Sequence, residues 1–373
     1  LLKRLGMSTL VKDPDRYGLS LILGGAEGTL WELSGMYASM ARTLEHYFRY
    51  PGKSRYEKDA YHPPTYIDAE IQHHETEETS ILSAASLYQT FDILTEVYRP
   101  GEQSGWRYFQ NARRIAWKTG TSFGFRDAWA IGITPEYVVG VWVGNADGEG
   151  RPSLTGTDAA SPLMFDIFSQ LPPGKWFSMP RPELFQIPVC SRSGMRVSES
   201  CEAADTIWVA QRGLESNSCT YHTIAHFTAD KKYQVHSQCE ELEAIIHESR
   251  FVLPPVQEYY YRSKNLSYKP LPPYRPDCQP PMTSQNMELV YPKASARIYI
   301  PRELKGDKGK FIVEMAHRNS GATVYWHLDG VYLGATRGTH RLPVQTGLGL
   351  HELTLVDDSG EELHRTFEVA SKL

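Results

Sequence analysis

Three β-rich runs follow one another with only short turns between them: Arg114–Thr121, Asp127–Thr134 and Tyr137–Gly144. Connections this short cannot make the crossover that parallel strands need, so the runs must pair as an antiparallel meander. Phe123-Gly124-Phe125, Pro135 and Asn145–Gly148 mark the turns. Helical periods bracket the meander. Leu30, Leu33, Tyr37, Met40, Ala41 and Leu44 predict a helix over Glu27–Leu44, after Gly24-Gly25. Leu82, Ala85, Leu87, Phe91, Leu94 and Val97 predict another over Ser80–Val97, ending before Pro100. Ala159–Gln170 reads as a third helix that closes the domain. Pro51–Glu78 is polar and aperiodic, an exposed loop. The chain opens on Leu1, inside a short helical stretch Leu1–Leu5, which reads as a truncated chain. Residues 1–170 are therefore expected to form one α+β domain.

From Leu171 the character changes. Pro172-Pro173-Gly174 and Pro180–Pro182 mark a boundary. All five cysteines lie beyond it: Cys190, Cys201, Cys219, Cys239 and Cys278. Their clustering suggests a small stapled unit rather than scattered core thiols. Residues 251–281 are rich in Pro and Tyr, which favours extended polyproline geometry. Residues 171–285 thus read as a cysteine-bearing, Pro/Tyr-rich linker region. The last segment, 286–373, is all β: Lys310–Ala316, Thr323–Leu328, Val331–Leu333, His340–Val344, Leu350–Val356 and Arg365–Val369. Asp329-Gly330 predicts a type I′ hairpin, and Asp358-Ser359-Gly360 another turn. Closely spaced strands of this kind predict an immunoglobulin-like β-sandwich.

Composition excludes some classes. Aromatics at 12% supply burial enough to rule out disorder as the main state. A net charge of −5 argues against nucleic acid as the main partner. No apolar run approaches the roughly 20 residues of a membrane span. Gly24-Gly25-Ala26-Glu27-Gly28 lacks the Lys-Ser/Thr of a phosphate loop and the spacing of a dinucleotide fingerprint, so no cofactor is expected. His73-His74-Glu75-Thr76-Glu77-Glu78 reads as a polar surface insertion rather than a metal loop. Asp127 and Asp147 read as turn residues rather than an acid/base pair. The run Tyr259–Tyr261 reads as linker packing rather than a sugar platform.

The informative stretch is Trp117-Lys118-Thr119-Gly120-Thr121-Ser122, on the first strand of the meander. Lys-Thr-Gly on such a strand resembles the third motif of active-site serine penicillin-binding proteins and β-lactamases. The longer run Lys118–Trp129 resembles that motif in bifunctional class A penicillin-binding proteins, their 1C type above all. Val141–Asn145 with Asp147-Gly148, Tyr17–Ser20 and Leu23–Leu30 resemble the flanking family segments. Val324–Gly330 with Gly338-Thr339-His340 resembles the accessory domain that ends the 1C type. The resemblance implies the second half of a D,D-transpeptidase domain. There a serine attacks the D-Ala-D-Ala bond of a peptidoglycan stem peptide, and the acyl group passes to an amine on a neighbouring stem. β-Lactams mimic the donor.

The chemistry asks for such a strand. A cation and hydroxyls on an edge strand bind a terminal carboxylate by charge-assisted hydrogen bonds, while the backbone pairs with the extended peptide. Gly120 leaves room for close approach. By resemblance, Lys118 supplies positive field and Thr119 and Thr121 address the carboxylate. The Thr121 N–H supplies half of an oxyanion hole.

One departure weighs heavily. No serine in the chain has lysine three residues later, so the family's Ser-x-x-Lys nucleophile is absent. Ser263-Lys264-Asn265 and Ser284-Gln285-Asn286 fit its Ser-x-Asn string but follow Lys118 instead of preceding it, and read as chance. The expectation is a chain inert by itself, from a periplasmic, membrane-anchored parent that also carries a glycosyltransferase. The expected partners are stem peptides, β-lactams and cell-wall proteins reached through the sandwich. An extracytoplasmic setting makes disulfides the first reading for the cysteines. A Cys₃His zinc site of Cys190, Cys201, Cys219 and His222 is the second, and free thiols the third. A non-catalytic cell-wall-binding module is the rival function, with a β-lactamase or carboxypeptidase behind it.

Overall fold

The computed structural model describes residues 1–49, 52, 55–66, 75–97, 113–278, 285–300 and 309–370. The first part runs α1 (Pro14–Tyr17), α2 (Leu30–His46), the two-residue strands β1 (Tyr56–Glu57) and β2 (Thr76–Glu77), and α3 (Ala84–Leu94). It continues through β3 (Ala116–Thr121), β4 (Asp127–Ile133), β5 (Val138–Gly144) and α4 (Ser161–Gln170). Helix α2 starts at Leu30 and not at Glu27 because Thr29 caps it. The Glu32 N–H donates to the Thr29 hydroxyl at 3.1 Å, and the Thr29 N–H donates to the Glu32 carboxylate at 3.2 Å. Ser83 caps α3 by a single bond, accepting from the Ser86 N–H at 3.2 Å, which sets its start at Ala84.

Strands β3, β4 and β5 form the expected antiparallel meander in that order. Two glycines bring helices onto it. A Cβ at Gly140 would stand 2.3 Å from Ser34 Oγ on α2, and one at Gly132 would stand 2.5 Å from Phe168 Cε2 on α4. Gly140 pairs with Ile131, the neighbour of Gly132, so the two glycines point to opposite faces. The sheet is therefore sandwiched: Ala116 and Ile133 join α2 and α3 on one side, and Trp117, Ala130 and Val141 join α4 on the other.

The chain divides into two compact units, Leu1–Ile187 with Ile207–Ser216, and Pro188–Thr206 with Asn217–Leu373. The division falls beyond the compositional change at Leu171 because the intervening residues still pack with the first unit. Phe177 lies in the core beside Phe91, and Glu183 accepts from the Tyr56 hydroxyl at 2.6 Å.

The remaining elements are β6 (Leu184–Cys190), β7 (Ala204–Ala210), β8 (His222–Phe227), β9 (Ile246–Phe251) and α5 (Pro255–Lys264). After them come β10 (Met287–Tyr291), β11 (Arg297–Tyr299), β12 (Phe311–His317), β13 (Thr323–Leu328), β14 (Val331–Arg337), β15 (His340–Val344), β16 (Gly349–Asp357) and β17 (Glu362–Ala370). The Pro/Tyr-rich segment is not simply extended. Pro254 and Pro255 stand at the start of α5, where a missing N–H costs nothing, and no proline interrupts the helix before Lys264. Pro280 and Pro281 lie outside the described residues.

Strands β10–β17 form two sheets, ordered β10-β12-β15 and β11-β17-β16-β13-β14. Their inward residues share one core around Trp326, which is fully buried with Nε1 donating to Thr336 Oγ1 at 2.7 Å. The β13–β14 hairpin turns at Asp329 (φ 51°) and Gly330 (φ 80°), the left-handed pair that a type I′ turn requires. Strands β10 and β11 were not legible in the sequence, and β11 runs parallel to β17, with Arg297 opposite Glu368.

Candidate functional site

The Lys118–Thr121 motif occupies β3, which among the described residues is an edge strand paired only with β4. Its outer edge thus presents backbone donors and acceptors for another extended chain. The pleat separates the side chains. Lys118 lies opposite Ile131, on the α2 and α3 side, while Thr119 and Thr121 lie opposite Ala130 and Ala128, on the α4 side. Lys118 is exposed and turns its ammonium back to the Thr119 carbonyl oxygen. The cation and the hydroxyls can therefore meet one ligand only at the open edge.

A turn ahead of α4 buttresses the hydroxyl side. Thr155 caps it, accepting from the Asp158 N–H at 3.1 Å, and the Gly156 N–H donates to Thr121 Oγ1 at 3.0 Å. That bond leaves the Thr121 hydroxyl hydrogen free for an acceptor. A Cβ at Gly156 would stand 2.5 Å from the Trp129 carbonyl oxygen, 2.6 Å from that of Gly120 and 2.9 Å from Thr119 Cβ. A Cβ at Gly120 itself would come no nearer than 3.6 Å to another atom, Trp129 Cβ, an ordinary van der Waals contact. The steric demand within the chain thus falls on Gly156, which sequence reasoning passed over. Thr155-Gly156-Thr157-Asp158, a capping sequence closed by an acid, was its one available signal.

Other candidates resolve locally. Asp127 accepts from Trp142 Nε1 at 2.9 Å, and Asp147 accepts from the Glu149 N–H at 2.9 Å, so both hold local structure. His73 and His74 lie outside the described residues, and Glu75 pairs with Lys58 at 2.8 Å. Asn265 ends α5, donating to the Tyr261 carbonyl oxygen, which gives Ser263-Lys264-Asn265 a capping place. Ser284 lies outside the described residues. Tyr261 packs between Phe251 and Tyr268, while Tyr259 and Tyr260 are exposed.

The cysteines separate into two groups. Cys239 and Cys278 form a disulfide, with Cα atoms 5.4 Å apart. Cys190, Cys201 and Cys219 are free, which departs from the disulfide reading for these three. They converge on His222 instead. Nδ1 lies 3.4 Å from Cys190 Sγ, 3.7 Å from Cys201 Sγ and 3.4 Å from Cys219 Sγ. Burial pushes the Cys190 thiol up, but donors from Ser193 and Arg192 outweigh it and bring its pKa down to about 7. Burial raises Cys201 and lowers His222.

Residues 276–367 match the Penicillin-Binding Protein C-terminus Family. Penicillin-binding protein 1C of Escherichia coli (strain K12) is 30% identical over 166 residues, 44% of this chain and 19% of its own length. Penicillin-binding protein 1A of Aquifex aeolicus (strain VF5) is 31% identical over 101 residues, 26% of this chain and 14% of its own. The crystal structure of penicillin-binding protein 1A from Haemophilus influenzae aligns over 56% of this chain and 35% of its own, at 18% identity and a TM-score of 0.37, too low for an argument about fold. The chain spans under a fifth of the length of the two curated relatives. The family match over residues 276–367 and the similarity to these relatives support a class A penicillin-binding protein C-terminal region.

Proposed function

We propose that this chain serves peptidoglycan synthesis as the carboxylate-binding wall of a periplasmic D,D-transpeptidase. One observation carries the reading: Lys118, Thr119, Gly120 and Thr121 stand on an edge strand whose outer side is open among the described residues. A stem peptide ending in D-Ala-D-Ala adds to that edge as an extended strand. The Lys118 ammonium draws its terminal carboxylate from one side of the pleat, and the hydroxyls of Thr119 and Thr121 donate to it from the other. The Thr121 N–H is placed on the same strand for the oxygen that becomes negative when the carbonyl is attacked. The attacking serine is no part of this chain, so residues 1–373 alone do not acylate. In this reading 171–285 joins the transpeptidase part to 286–373, an immunoglobulin-like accessory sandwich.

The test begins with the gene upstream of Leu1. A reading frame that continues through Ser-x-x-Lys and then Ser-x-Asn, in a protein labelled covalently by fluorescent penicillin, supports the proposal. Lys118→Ala is then expected to slow labelling by about 10²-fold, the scale of one lost electrostatic contact to the reacting group. A start codon immediately before Leu1, with no labelling, transfers the case to a non-catalytic cell-wall-binding module. Covalent labelling of residues 1–373 alone overturns the claim of inertness.

A further inference from the structure

We propose that Cys190, Cys201, Cys219 and His222 bind one structural zinc ion. Their four ligand atoms lie within 4.8 Å of one another. Zn–S near 2.3 Å and Zn–N near 2.0 Å in a tetrahedron place each sulfur about 3.5 Å from the nitrogen. The three Sγ···Nδ1 distances are 3.4, 3.7 and 3.4 Å. Hydrogen bonding does not explain this convergence. A single imidazole nitrogen has one proton or one lone pair and cannot satisfy three sulfurs at once. One cation in their midst can. Disulfides do not explain it either, since three thiols leave at least one unpaired.

Hydrogen-bond donors surround the sulfurs. The Ser193 N–H points at Cys190 Sγ (3.5 Å) and the Ser193 hydroxyl at Cys219 Sγ (3.3 Å). The Ser198 N–H points at Cys201 Sγ, also at 3.3 Å. Donors aimed at each sulfur are what a metal-bound thiolate collects as outer support. The turn after Cys190 is built to supply one of them. Gly194 takes φ 70°, its N–H returns to the Cys190 carbonyl oxygen, and the Cys190 N–H donates to Met195. Three sulfurs and one nitrogen favour zinc over oxygen-seeking cations, and four protein ligands close the coordination shell. On binding, the three thiols release their protons to solvent and the ion joins the end of β6, the turn at Cys201 and the start of β8.

The test uses the full 373-residue chain. After saturation with Zn²⁺ and dialysis, plasma mass spectrometry is expected to find about one zinc per chain. Co²⁺ in its place is expected to show the thiolate charge-transfer and visible bands of tetrahedral cobalt. Cys219→Ser and His222→Ala are each expected to lower zinc retention at least ~10-fold, whereas Cys239→Ser retains it. Should these variants misfold, alkylation of the unsubstituted chain decides: three thiols protected until a chelator is added support the site. Three thiols that alkylate freely in zinc-saturated protein overturn it, as does a disulfide between any two of them.

Discussion

The edge strand at Lys118–Thr121 and the cluster at Cys190, Cys201, Cys219 and His222 are built in opposite ways. The first is four consecutive residues on one strand, with the lysine exposed. The second gathers four residues from three places in the sequence, two of its thiols and the imidazole being buried. Among the described residues the strand's outer edge is unpaired, and in the proposed function it serves something outside itself. The cluster turns its donor atoms on one another, and as a zinc site it would serve the fold. A contiguous motif can be recognised without being needed for stability, whereas a dispersed one exists only if the fold does.

Removing the metal is expected to give the largest effect. A chelator added to zinc-loaded protein should destabilise the second unit by about 4 kcal/mol, a fall in Tm of ~10 °C for a unit of this size. An unchanged melt would make the cluster a bystander and erase the contrast. Next comes Gly156→Ala, which drives a Cβ into two carbonyl oxygens beneath the strand. It should cost about 1–3 kcal/mol by urea unfolding. A smaller loss would mean that the turn before α4 yields and does not hold Thr119 and Thr121.

Glu32 probes a helix cap that joins a local partner, Thr29, to a distant one, Ser8. Its carboxyl is held down at about 2, from an ordinary 4.5, chiefly by the Ser8 hydroxyl, against the push of burial and with the help of Thr29. A folded-state value below the unfolded one stabilises above pH 4.5, and the stabilisation fades as pH falls towards 2. Glu32→Ala should therefore cost about 1 kcal/mol at pH 7 and progressively less between those limits, measured by urea unfolding at each pH. A cost that stays constant down to pH 2 would assign it to packing. The smallest effect is expected for Lys118→Ala and Gly120→Ala, each within about 0.5 kcal/mol of the unsubstituted chain. A larger loss would make the strand motif structural after all.

Local signals carried most of the elements. Alternation and turn residues located β3, β4, β5 and most strands of the last segment to within a few residues, and Asp329-Gly330 named its own turn. The exact helix starts depended on caps, which side-chain reach decides. Helix α5 was obscured by prolines that turn out to flank it. Strand β11 is three residues long and owes its existence to β17, far along the chain.

The sequence by itself determined the meander, its Lys-Thr-Gly strand, the resemblance these carry and the absence of Ser-x-x-Lys, because each is a property of neighbouring residues. It listed five cysteines without pairing them, since spacing constrains connectivity weakly. Tertiary structure alone decided that two would bridge and three would face His222 Nδ1. It alone also decided that Gly156 would hold the hydroxyl side of the strand. Both depend on distances between segments that meet only once the chain is folded, and no local pattern encodes those distances.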